Sequence, residues 1–173
     1  MSDYLKSAQK SLRIQTVNLV ESNVVVNNDV DLVTMDRSIT TPQGFRSVSR
    51  VQETLLSDTD NKELWDYRYF YSVGMRLIYI EDEDISKDDN KDISKDENED
   101  ENEDVDSIVE IVSVFSAKYF SDKKLDKKEV KAFCEHSVGY HVWPYWREYV
   151  QSTCARIDLN PGFEVPFYFM PQD

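Results

Sequence analysis

Residues 64–80 read LWDYRYFYSVGMRLIYI, and every odd position is aromatic or aliphatic: Trp65, Tyr67, Tyr69, Tyr71, Val73, Met75, Leu77 and Tyr79. The even positions hold Asp66, Arg68, Ser72, Gly74 and Arg76, with apolar residues mainly at the ends. Period two over this length predicts a strand, because alternate side chains point to opposite faces. One face of it carries large apolar groups throughout and demands a broad covering layer. Residues 107–120, SIVEIVSVFSAKYF, are β-branched and aromatic and predict a second strand of similar length. The pair reads as an antiparallel hairpin.

The connection between those strands, residues 81–106, is low-complexity, with a tandem echo at Asp84-Ile-Ser-Lys-Asp and Asp92-Ile-Ser-Lys-Asp. It holds fifteen acids against three lysines, so twelve of the chain's fourteen net negative charges sit there. The remainder is close to neutral. A segment so poor in apolar groups cannot offset its ordering entropy, and it reads as disordered. Two readings stay open for it: a solvated loop, or an acidic arm that competes with nucleic acid or meets a basic partner. A calcium loop of the EF-hand kind needs a turn-making glycine, and the stretch has none.

Upstream, residues 12–26 predict a strand whose alternation changes phase near Thr16 and Val17, as at a bulge. Residues 44–56 predict another, and Val30 to Met35 either a short strand or part of a loop. Ser2 is placed to cap a short helix with Leu5, Ala8 and Leu12 on one face. In the C-terminal third the period changes. Asp126 caps a helix beginning DKKEVKAFCEHS, Gly139 reads as a break, and Pro144 as the first turn of a second helix. That second helix carries Trp143, Trp146 and Val150 along one face, and Asn160-Pro161-Gly162 stops it. An extended aromatic tail follows. The order predicts an α+β fold: a four-stranded antiparallel sheet with helices packed on one face, spanning residues 1–173 as a single domain interrupted at 81–106.

The residues exclude several chemistries. No glycine-rich phosphate loop is present, with four glycines in 173 residues. Cys134, His136, His141 and Cys154 follow the spacing C-x-H-x4-H-x12-C, which matches no common zinc pattern, so no metal is expected. Fifteen of the 34 acids lie in the acidic segment, where no fixed pair can divide acid and base duties. No catalytic residue and no cofactor is assigned, and an enzyme is not expected. Lys123, Lys124, Lys127, Lys128 and Lys131 form a short basic cluster, read as a solvated helix face. Nucleic-acid binding is disfavoured beside so much acid. No apolar run spans a bilayer, and residues 1–13 lack the apolar core of a secretory signal, so a cytoplasmic location without membrane insertion is expected.

The run His141-Val-Trp-Pro-Tyr-Trp-Arg-Glu-Tyr-Val-Gln resembles the signature of SecB-like export chaperones: an apolar residue, an aromatic one, then Pro-Tyr-x-Arg-Glu. The family's short proline-containing stretch also has a counterpart here, Leu159-Asn-Pro-Gly-Phe-Glu-Val-Pro-Phe. The resemblance covers Leu64 to Phe169. It implies a dimer of dimers and binding of unfolded or nascent polypeptide in apolar grooves between sheet and helix, without ATP. By that resemblance Pro144, Tyr145, Arg147 and Glu148 are a structural or interface signature. By placement, Tyr67, Tyr69, Tyr71, Trp143, Trp146 and Val150 are candidates to line the client groove.

The chain departs from the export chaperone in its acidic insertion and in ending at Met170-Pro-Gln-Asp without a further helix. The acidic positions that dock the export motor are not identifiable, which puts that partner in doubt. In this it resembles the solitary SecB-like chaperones of toxin–antitoxin–chaperone modules. The favoured expectation is a holdase dedicated to an antitoxin client. The alternatives are a general export chaperone and an acidic decoy or adaptor acting through residues 81–106.

Overall fold

A computed structural model describes residues 2–57, 63–80 and 107–168. The acidic segment 81–106 and the readings attached to it lie outside the described residues. The elements run α1 (Asp3–Ser11), β1 (Arg13–Val26), β2 (Thr40–Ser57), β3 (Glu63–Tyr79), β4 (Val109–Ser121), α2 (Lys127–Phe133) and α3 (Gly139–Arg156). The four strands form one sheet in the order β1-β4-β3-β2, every pair antiparallel. Residues 30–35 form turns and no strand.

The hairpin expected around the acidic segment is the β3–β4 pair. It runs in unbroken register from Trp65 opposite Ser121 to Leu77 opposite Val109. At that open end three backbone bonds tie the chain: Ile108 N–H to the Leu77 carbonyl (2.8 Å), Ile80 N–H to Ile39 (2.8 Å) and Asn27 N–H to Ile108 (2.9 Å). Along β4 burial alternates perfectly, odd positions buried and even positions half-buried. The buried face carries Tyr67, Tyr69, Tyr71, Val73 and Leu77 from β3 and Ile111, Phe115, Ala117 and Tyr119 from β4. β1 shifts register between Ile14 and Thr16, where the phase change was expected, and again between Leu19 and Glu21.

The helices cover that face. Tyr69, Tyr119 and Phe133 meet with ring centroids 5.1–5.5 Å apart, two of the pairs edge-to-face, the arrangement that aromatic quadrupoles favour. Tyr67 Oη accepts the Leu125 N–H at 2.7 Å, and Tyr119 Oη bonds His141 Nδ1 at 2.9 Å. Trp146 is fully buried above the sheet. On the opposite sheet face Asp66 is buried between Arg68 and Lys118, at 3.3 and 3.4 Å. No helix of the described residues is long and apolar enough to cross a membrane.

The C-terminal helices depart from the expected pair. Asp126 does cap α2, in a capping box with Glu129, but Gly139 breaks nothing. A π-helical turn, Cys134–Val138, carries α2 straight into α3. Gly139 is helical, and Pro144 stands inside α3, five residues past its start. The glycine serves close approach instead of a turn. A β-carbon there would lie 2.7 Å from Tyr71 Oη and 2.5 Å from Tyr168 Oη.

Candidate functional site: a cleft between β2 and the helices

β2 is an edge strand, and its helix-facing residues Pro42, Gly44, Arg46, Val48 and Val51 pair with Leu77, Met75, Val73, Tyr71 and Tyr69. The helices do not fully reach it. A long cleft results, floored by β2 and β3, walled by α2 and α3, and closed beyond by the extended segment after Leu159. It has two parts. One, about 530 Å³, lies over Val48 and Tyr71 beneath Val130 and Cys134, rimmed by Lys127, Lys131, Glu53 and Glu135. The other, about 450 Å³, lies between Met75 and Trp143, with Trp146, Val165 and Pro166 behind.

Arg46 lines both parts. Its guanidinium lies 4.6 Å from the Tyr168 ring centroid and 5.4 Å from that of Trp143, within reach of a cation–π interaction. Trp143 Nε1–H donates to the Pro166 carbonyl at 2.7 Å. An apolar trough with a few fixed polar groups, beside a strand whose outer backbone edge is open among the described residues, suits an extended polypeptide. Burial pushes the Cys134 thiol up to about 11, so the nucleophilic thiolate is scarce at neutral pH. Burial also raises the Tyr71 phenol, which stays a neutral hydrogen-bonding group.

The candidate groove residues divide. Tyr71, Trp143 and Trp146 border the cleft, although Trp146 is fully buried and contributes only backing. Tyr67, Tyr69 and Val150 do not line it. Their rings and branches are fully buried where sheet and helices meet tightly, so they are closed core. In the signature, Pro144, Tyr145 and Glu148 are exposed on α3, and Arg147 stacks its guanidinium on Phe167 at 4.8 Å. Consecutive residues on a helix face different ways, so Arg147 and Glu148 point to different sides of α3. The sequence reading missed Arg46 and Tyr168. The aromatic tail was visible as such, but nothing local signalled that it folds back on Gly139.

No family model and no curated protein matches the sequence. A solved structure does match the fold. It is the Mycobacterium tuberculosis Rv1957 SecB-like chaperone in complex with a ChAD peptide from the Rv1956 HigA1 antitoxin. The likeness covers 99% of this chain and 100% of that one, with a TM-score of 0.59 and 14% identity. The chain has the fold of a SecB-like chaperone. The four-stranded antiparallel sheet under a long helix is the shared architecture, and at this identity the likeness speaks for the fold. In this fold the cleft beside β2 lies between the sheet and the helices.

Proposed function

We propose that the chain is an ATP-independent holdase that binds an extended, unfolded segment of a client polypeptide in the cleft between β2 and the α2–α3 helix, and that the client is an antitoxin. The observation that carries the reading is the cleft itself: an apolar floor of Val48, Tyr71 and Met75 under Trp143, bordered by β2, the end strand of the sheet. A client strand laid beside β2 gains main-chain hydrogen bonds independent of its sequence, while its alternate side chains enter the trough. The antitoxin assignment is supported by the SecB-like chaperone of the same fold, whose structure holds an antitoxin peptide.

The working form in this reading is a homotetramer. β1 is the opposite edge of the sheet, only Val17 of its fourteen residues is buried, and Ile14, Leu19, Val20 and Val25 are exposed. Such an edge calls for a covering partner, and a second copy supplies one.

The test has two arms. Purified protein without nucleotide should suppress aggregation of a chemically unfolded probe, and Trp143→Asp should abolish suppression while keeping the native circular dichroism spectrum. Capture of the tagged chain from its own cells should return one dominant small partner that is insoluble when expressed alone. A broad set of precursor proteins would replace the dedicated role with general export, and full activity of Trp143→Asp would remove the cleft from the function.

A further inference from the structure

The cleft is already partly filled by the protein itself. After Leu159 the chain runs extended, and Phe163 and Val165 anchor it with 5% and 6% exposure. Beyond Val165 the attachment changes in kind. Pro166 is exposed and accepts the Trp143 Nε1–H at its carbonyl. Phe167 is 74% exposed and touches the Arg147 guanidinium. Tyr168 turns back into the trough, its ring 5.4 Å from that of Trp143 and 6.3 Å from that of Tyr140, both edge-on, with Arg46 across its face.

The seat of Tyr168 exists because residue 139 has no side chain. A β-carbon on Gly139 would stand 2.5 Å from Tyr168 Oη and 2.7 Å from its Cε2. The backbone there is helical, φ −59° and ψ −38°, so conformation does not require a glycine. Alanine has the higher helix propensity. Space for the ring is what the glycine supplies.

We propose that Pro166–Tyr168 is an internal stand-in for the client: it holds the trough between Trp143 and Arg46 when no client is present and leaves when one binds. The inference rests on the cleft being the client site, and it names the class of segment that site takes. That segment is extended and carries an aromatic residue whose ring replaces Tyr168, because stacking under a guanidinium and edge contact with an indole both need a ring. Among the described residues the stand-in is held beyond Val165 by two rings, Phe167 on Arg147 and Tyr168 in the trough, and by two hydrogen bonds, Trp143 to the Pro166 carbonyl and Tyr71 to Tyr168. These contacts lie at one end of the segment and can open locally while Phe163 and Val165 stay in place. Its presence lowers the apparent client affinity by the fraction of time the trough is empty. Docked nine times in ten, it masks roughly tenfold.

Two full-length variants test this. Tyr168→Ala removes the ring, and Gly139→Ala crowds it out, together with the Tyr71 hydroxyl, without altering the segment. Each is titrated with reduced, carboxymethylated α-lactalbumin as a permanently unfolded probe. A synthetic peptide, Glu-Val-Pro-Phe-Tyr-Phe, copying residues 164–169, serves as competitor. Both variants should bind the probe about tenfold more tightly than the parent, and the peptide should displace the probe from Tyr168→Ala. Unchanged or weaker binding by both variants would make Tyr168 a wall of the groove and overturn the displacement, while leaving the cleft as the client site. Peptide binding to Tyr168→Ala with no probe bound by any form would overturn the chaperone reading and the stand-in together.

Discussion

Trp143 and Trp146 sit one helical turn apart on α3, yet the first is partly exposed over the cleft and the second is wholly buried. Trp146→Ala should cost about 3–5 kcal/mol, the range for deleting a core aromatic. Trp143→Ala should cost about 1 kcal/mol, mainly its bond to the Pro166 carbonyl, and should weaken binding of an unfolded probe. Urea denaturation beside an aggregation assay separates the two, and equal stability losses would contradict the division. Helical spacing put both on one stripe. Which edge of a stripe is covered depends on how far β2 reaches under it, a non-local fact that no local pattern carries. The same limit made Tyr67, Tyr69 and Val150 look like groove. Cys134 gives a second residue-scale test. Its folded-state value, pushed up by burial to about 11, lies above its ordinary 9. Between those values the native state holds a proton that the unfolded state has released. Stability should therefore fall as pH rises from about 9 to about 11, and Cys134→Ser should flatten part of that fall in melts followed across this range. An unchanged slope in Cys134→Ser would place the fall elsewhere, for instance in the buried tyrosines whose phenols burial also raises.

At the scale of elements, α2 is short and depends on its start. Asp126 accepts the N–H groups of Lys128 and Glu129 at 2.7 and 2.8 Å, and Glu129 returns a bond to the Asp126 N–H at 2.9 Å. Asp126→Ala should lower stability by about 1 kcal/mol, while Asp126→Asn should lose a few tenths; thermal melts of the two decide whether the cap or the charge matters. This cap was legible because its signals are neighbours in sequence. So were β3 and β4, whose period survives every tertiary detail. The continuity of α2 into α3 was not. Glycine and proline are punctuation only where the chain turns, and here Gly139 answers to a tyrosine twenty-nine residues later, while Pro144 is tolerated inside the helix, exposed on its outer side.

For the whole molecule, the order β1-β4-β3-β2 places the two central strands together and leaves edges of unlike character. β2 borders the cleft. β1 shows apolar side chains to solvent over most of its length and touches α3 through a hydrogen bond between Ser22 and Tyr149. For the proposed homotetramer, replacing Leu19 and Val20 with lysine should lower the mass measured by light scattering without unfolding the subunit. An unaltered mass would remove β1 as the contact of that proposed assembly. The mouth of the β3–β4 hairpin has a consequence of another sort. Both strands are tied by backbone bonds before residue 81 and after residue 106, and chain length at such a mouth adds to closure entropy only as its logarithm. That end is an insertion port. A fluorescent reporter or an affinity handle spliced in place of residues 81–106 would inherit a rigid base without shifting the sheet's register, and could report on the cleft from the outside.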